Sequence, residues 1–315
     1  MERRISLQSK KNNNSKRRRR SGEEVNWLDL PSEVMLVILS KLDVFQILCY
    51  AQFVCSSWLQ LAKDPFLYRS ILVPYVLSIS HGSNRSCSLH SHKGLGLVLR
   101  VLKDAAKRSS TGDLKEISLA KSWCNDVILI RVLKYMTGTT NLKSLRLASF
   151  RGFADHLLIA SAFQRLPFLE ELELKDEAFS TASGNIIRIA GRSCPRLKYF
   201  SFINNTGDMH SYIYYDQVAF AIAHCMPHLR GLRLYITCLI NTGLRAIIKG
   251  CPHLENLDLR GCCYNDLQED LQKQCLNKIR DISFPSSNVA PPTPLCMLNR
   301  IDVRCCHLVM ERNMQ

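Results

Sequence analysis

The 315-residue sequence contains no apolar run near the roughly 18 residues of a membrane-spanning helix. Its first residues are charged and polar where a secretory leader needs an apolar stretch, so the expectation is a soluble intracellular chain with no membrane partner. None of its 14 cysteines forms a C-x-x-C pair, and Cys262, Cys263, Cys305, Cys306 and His307 are poorly spaced for one tetrahedral site. Thiols spread this widely predict reduced, packed side chains and no metal rather than a disulfide framework. Glycine-rich phosphate loops and nucleophile elbows are also missing, and Asp, Glu and His are scattered without convergent spacing. No catalytic residue and no cofactor are therefore expected.

Charge is present in excess, at +15, but unevenly. Residues 1–20 hold nine Lys/Arg against Glu2, a net +8, leaving +7 on the rest of the chain. Residues 1–24 have too little apolar surface to offset the entropy of ordering and read as a disordered basic arm. The block Lys16, Arg17, Arg18, Arg19, Arg20 suits a nuclear import signal; a solvated tail and a nucleic-acid contact are the alternatives. Import implies residence in both nucleus and cytoplasm.

From residue 25 to 70 the pattern predicts three short helices. Val34, Ile38 and Leu42 recur at four-residue spacing in the first, with Ser32 or Asp29 as its cap. Asp43 caps a second through Ile47, Leu48 and Ala51, and a third starts near Val54 and Cys55, carries Trp58 and Leu61, and stops at Asp64 and Pro65. So small a unit cannot bury all of its own Leu, Ile, Val and Trp, which implies either a partner or packing against the next domain. Residues 71–113 read as a junction and N-terminal cap, with a possible strand over 73–79 and a helix near 93–107.

One unit, L-x-x-L-x-L, then recurs seven times, beginning at Leu114, Leu142, Leu169, Leu197, Leu229, Leu254 and Ile279. Successive starts differ by 28, 27, 28, 32, 25 and 25 residues, with an insertion placed at 204–216 in the fourth unit. This is the period of leucine-rich repeats. The last two apolar residues lie two apart, so they face one side of a strand. Apolar stretches at 127–133, 186–190, 218–223 and 244–248 predict covering helices. No unit can bury both faces alone, so the expected architecture over 114–284 is an α/β solenoid with a curved parallel sheet inside and helices outside. In the entry segments Cys194-Pro195, Cys225 to Pro227 and Cys251-Pro252, Pro ends the helix and Cys fits where strand and helix converge. Residues 285–315 read as an irregular tail.

The repeats resemble the cysteine-containing leucine-rich repeats of plant-like F-box proteins. Leu30, Pro31, Glu33, Ile38, Leu39, Leu42, Val54, Cys55 and Trp58 resemble the F-box motif, although Phe53 is bulkier than the family usually has there. This resemblance implies a non-catalytic substrate-recognition subunit of an SCF ubiquitin ligase, monomeric within a hetero-complex. Leu30, Pro31, Ile38, Leu39, Leu42, Val54, Cys55 and Trp58 would dock on a Skp-type linker and through it a cullin. Strand positions alternating with the core become the expected target contacts on the concave face: Arg146, Glu173, Lys175, Tyr199, Ser201, Arg233, Tyr235, Asp258 and Arg260. Their mixed charge argues against nucleic acid and for a target protein. A repeat scaffold or receptor binding a protein or small signalling molecule without ligase coupling is the alternative.

Overall fold

Two-residue alternation demands a strand, and the turn before it demands a neighbour to receive its backbone amides; the structure meets both demands once per repeat. It is a computed structural model that describes residues 30–73, 92–109, 114–119, 141–151, 156–178, 182–204, 212–236, 239–262 and 267–285. The strands are β1 (Ser70–Val73), β2 (Glu116–Leu119), β3 (Ser144–Arg151), β4 (Glu171–Ala178), β5 (Tyr199–Asn204), β6 (Gly231–Tyr235), β7 (Asn256–Asp258) and β8 (Asp281–Ser283). They form one sheet in sequence order, with each pair of neighbours parallel. This is a leucine-rich-repeat architecture.

In-register pairing stacks the repeat leucines into columns. Ile71, Ile117, Leu145, Leu172, Phe200, Leu232 and Leu257 form one, and Leu119, Leu147, Leu174, Phe202 and Leu234 the next, all buried. The turns stack as well: Lys143 O accepts from Glu170 N and Glu171 N, each at 2.8 Å, and Lys115, Glu170, Lys198 and Arg230 carbonyls each accept two amides of the following repeat in the same way. A turn satisfied only by its neighbour explains why the units stand as an array and not singly.

The same signature appears one strand before the first predicted repeat. Arg69 O accepts from Lys115 N and Glu116 N, and Tyr68, fully buried, occupies the place of the first leucine. The sheet therefore begins at Ser70, inside the predicted three-helix unit, and the strand expected over 73–79 ends at Val73 among the described residues. A tyrosine in a leucine position hid this unit from a search for L-x-x-L-x-L.

Helices α4 (His92–Arg108), α5 (His156–Phe163), α6 (Ala182–Ser193), α7 (Tyr212–Cys225), α8 (Asn241–Gly250) and α9 (Glu269–Lys278) link successive strands. The predicted stretches 186–190, 218–223 and 244–248 lie in α6, α7 and α8; 127–133 lies outside the described residues. The predicted insertion is narrower than expected, since Asn204 ends β5 and helix α7 starts at Tyr212, leaving 205–211 outside the described residues. Helices α7 and α8 approach at Gly250, where a Cβ would fall 2.3 Å from Ala223 O.

Asp216 on α7 is 3% exposed and caps its neighbour α8, whose own cap position, Ile240, has no side-chain acceptor. Thr242 Oγ1 donates to Asp216 Oδ2 at 2.8 Å, while Oδ1 has no partner among the described residues. Burial pushes this carboxyl up to about 6, against the lowering effect of its bonds from Thr242 and the Ile240 backbone. A raised carboxyl binds its proton more tightly in the folded chain. Its stabilising contribution is thus complete below about pH 4 and is lost as pH rises through about 6, at most about 3 kcal/mol for a two-unit shift. Asp216→Asn should accordingly raise the thermal midpoint at pH 7.5 and lose that advantage toward pH 5; equal midpoints at both pH values would show that the carboxyl is not strained.

Five of the described cysteines, Cys194, Cys225, Cys251, Cys262 and Cys275, are buried. Cys251 Sγ donates to Met226 O at 3.6 Å and Cys262 Sγ to Leu234 O at 3.3 Å, tying one repeat to the previous one. Burial pushes Cys194 up to about 12 and Cys251 and Cys275 up to about 11. Only the thiolate alkylates readily. Iodoacetamide at pH 8 should leave these three unmodified in the native chain and label them after unfolding, as read by peptide mass spectrometry.

The N-terminal helices are α1 (Ser32–Leu39), α2 (Val44–Cys49) and α3 (Ser56–Leu61). Asp43 caps α2 with a full capping box to Gln46, as expected, but α1 has Pro31 at its cap and Ser32 already inside the helix. The buried stripe of α1 is Met35 and Leu39; Val34, which opens the four-residue spacing read from the sequence, is exposed. Leu39, Phe45, Ile47, Leu48 and Ala51 join one continuous core with Tyr68, Ile71 and Leu102, so the three helices cap the solenoid. Arg108, at the end of α4, stitches the joint. Its guanidinium donates to Ala62 O at 2.7 Å, Tyr68 OH at 3.2 Å and Gln52 Oε1 at 3.0 Å, and Tyr68 OH itself donates to Ala62 O.

Candidate functional sites

Two surfaces remain once the core is accounted for. The first belongs to the N-terminal helices. A 3-10 turn, Ala51–Phe53, is held by Phe53 N to Tyr50 O at 3.0 Å and Val54 N to Ala51 O at 3.2 Å. With Ala51 buried, this turn forces Phe53 and Val54 outward, 73% and 63% exposed. Val34, Val37, Tyr50 and Leu59 are exposed nearby in sequence. Isolated exposed apolar residues need no explanation, but this density within residues 34–59 makes the unit a candidate contact surface.

The predicted docking residues divide across this unit. Pro31 and Val54 are exposed; Leu30, Ile38, Leu42, Cys55 and Trp58 are half-buried, with Leu42 and Trp58 packed on the core. Cys55 caps α3, its Sγ accepting from Trp58 N at 3.5 Å. Leu39 is corrected: at 0% exposed it is core, because the α1 stripe turns inward at Met35 and Leu39. Val37, Tyr50, Phe53 and Leu59 are exposed apolar residues of the same unit that the motif did not single out. Position in a motif does not report which face a short helix presents. The import block 16–20 lies outside the described residues.

The second surface is the helix-free face of the sheet. Alternation places Arg146, Glu173, Ser201, Arg233 and Asp258 in one register row. Lys175 and Tyr235 stand in the next row, with Arg260 just beyond β7, and Tyr199 stands in the row before. All nine predicted contacts are thus brought onto one face. The row holding Tyr199 also carries Glu116, Ser144, Glu171, Gly231, Asn256 and Asp281, residues that the same alternation could have revealed. A groove of about 430 Å³ runs along this face, lined by Ser144, Arg146, Glu171, Glu173, Tyr199, Ser201, Arg233 and Asp258 among others.

Its electrostatics are partly self-contained. Arg146 pairs with Glu116 at 2.5 Å, and Asp258 sits between Arg233 at 3.2 Å and Arg260 at 2.7 Å. The hydrogen bonds from Arg260 hold the Asp258 carboxyl down at about 2, so it stays charged at any physiological pH. Two tyrosines have fixed seats: a Cβ on Gly231 would fall 2.6 Å from Tyr199 Cδ1, and one on Gly261 would overlap the Tyr235 ring. The absence of a Cβ at these glycines leaves the rings room to pack on the adjoining repeat. Among the described residues no group of three His, Cys, Asp or Glu could hold a metal ion, and no single helix is long and apolar enough to cross a membrane.

Comparison with known proteins follows this division. A family model described as F-box-like matches residues 27–74. F-box/LRR-repeat protein 21 of Arabidopsis thaliana is 31% identical over 85% of this chain and 84% of its own length. F-box protein SKIP19 of the same organism is 33% identical over 85% of this chain and 80% of its own length. F-box/LRR-repeat protein 23, also from Arabidopsis thaliana, is 36% identical over 84% of this chain, which spans about half, 54%, of that longer relative. With F-box helices leading into a stacked leucine-rich-repeat sheet and relatives matched along most of their length, the chain belongs to the F-box/LRR-repeat protein family.

Proposed function

We propose that this protein is a non-catalytic substrate-recognition adaptor of an SCF-type ubiquitin ligase. The F-box surface binds a Skp-type linker, and through it a cullin, while the helix-free sheet face binds a target protein. The observation that carries this reading is that an exposed apolar F-box surface and an open polar repeat face are built on one continuous core. A rigid joint of that kind turns binding into positioning. The adaptor raises the effective concentration of target lysines near a charged conjugating enzyme and leaves bond chemistry to others. Specificity then lies in the polar and aromatic residues of the groove, where Tyr199, Tyr235 and the arginines are of the types that dominate binding energy. The basic block 16–20 suits import, so we place its work in nucleus and cytoplasm.

The test is capture of a purified Skp-type linker by the full chain. Capture supports the adaptor; no capture by the wild-type chain would leave a repeat scaffold without ligase coupling as the better account.

A further inference from the structure

Within the groove the charges are not equally engaged. Arg146, Arg233 and Arg260 each have a carboxylate partner on the same face. Glu171 and Glu173, two apart on β4 and therefore side by side on that face, have no cationic partner among the described residues. A pair of carboxylates alone would be an ordinary solvated strand face.

Two hydroxyls give the pair a further meaning. Ser144 lies beside Glu171 in register and Ser201 beside Glu173, on opposite sides of β4. Ser144 is 8% exposed, both serines line the groove, and both Oγ atoms are buried with no hydrogen-bond partner among the described residues. A buried hydroxyl left unsatisfied costs about 1–3 kcal/mol, so two such atoms beside the carboxylate pair would gain from a donor entering the groove. Tyr199, packed against Gly231 in the same row, adds an aromatic ring that attracts cations. The carboxylates, hydroxyls and ring all accept from, or attract, one kind of group: an ammonium or guanidinium.

We propose that Glu171 and Glu173, with Ser144, Ser201 and Tyr199, form a recognition pocket for a lysine or arginine side chain of the target protein. This rests on the adaptor reading and narrows its target to one presenting a basic residue in an extended segment. Selectivity follows from position, because a net positive chain repels cationic peptides except at carboxylates that are not already ion-paired.

The test uses the full chain and a short fluorescein-labelled peptide alternating lysine and serine, read by fluorescence anisotropy at near-physiological salt, with the arginine version alongside. Binding is expected, falling about ten-fold in Glu171→Gln/Glu173→Gln and little changed in Glu269→Gln, a carboxylate on the helix side. Tyr199→Ala should weaken it by a smaller factor. Absence of binding to the wild-type chain, or equal binding by the Glu171→Gln/Glu173→Gln variant, overturns the pocket. Binding that appears only after Lys16 to Arg20 are all replaced by Ala overturns the target assignment, because the chain's own arm would then be the occupant of the pocket. Linker capture is measured on the same variants: if it persists while the peptide fails, the pocket falls and the adaptor stands.

Discussion

Replacing Phe53 and Val54 together by Asp should abolish capture of a Skp-type linker, weakening it by more than about a hundred-fold, while the thermal midpoint of the chain barely moves. Both side chains are mostly exposed, held outward by a 3-10 turn whose inward residue is Ala51. A charge placed there costs the free chain little because water solvates it. In a complex the same carboxylates would be buried against an apolar partner without a counter-charge, and an unpaired buried charge costs several kcal/mol. Leu39→Ala supplies the contrast. That side chain is fully buried in the core joining F-box and solenoid, so its truncation should destabilise the whole chain by about 3 kcal/mol. Linker binding would then fall only in proportion to the loss of folded protein. If the Asp substitutions leave capture intact, the linker does not use this surface; if Leu39→Ala loses capture while remaining fully folded, Leu39 would have to become exposed on binding.

Arg108→Met should destabilise the chain strongly although its side chain touches no proposed partner. Its guanidinium satisfies Ala62 O, Tyr68 OH and Gln52 Oε1 at once, joining α4 of the solenoid to the last turns of the F-box. Methionine keeps much of the apolar stem but leaves those groups short of donors where water has limited access. Hydrogen bonds to a charged donor contribute about 1.5–3 kcal/mol, so a loss of about 3 kcal/mol is expected, lowering the midpoint by several degrees. Arg100→Met, exposed on the same helix, is the control and should change little. Hydrogen exchange gives the sharper readout: residues 30–73 should lose protection first, because the stitch lies between them and the remaining repeats. If exchange rises evenly over the chain, the joint is held by its apolar core alone.

Much of this architecture was legible in the sequence because its information is periodic. A leucine at every second and third position of a strand, repeated every 25 to 32 residues, leaves one way to bury both faces, and the sheet order follows. The same alternation brought all nine predicted groove residues to one face. It failed where chemistry replaced pattern. Tyr68 stands for a leucine because its hydroxyl finds Ala62 O and the guanidinium of Arg108, the latter 40 residues away, so the first strand was not read as a repeat. Glu171 and Ser144 were passed over because their importance comes from what their neighbours across the sheet fail to supply.

By itself, then, the sequence determined the repeat, its alternation, the packed cysteines and the F-box motif, all properties carried by spacing along the chain. Only the tertiary structure decided which residues of that motif face outward, that F-box and solenoid share a core, and which groove charges are already paired. Those depend on contacts between residues far apart in the chain. Leu39 and Val54 are both apolar members of one motif, and nothing in their local sequence distinguishes the one that shares the core with Ile71 and Tyr68 from the one left exposed.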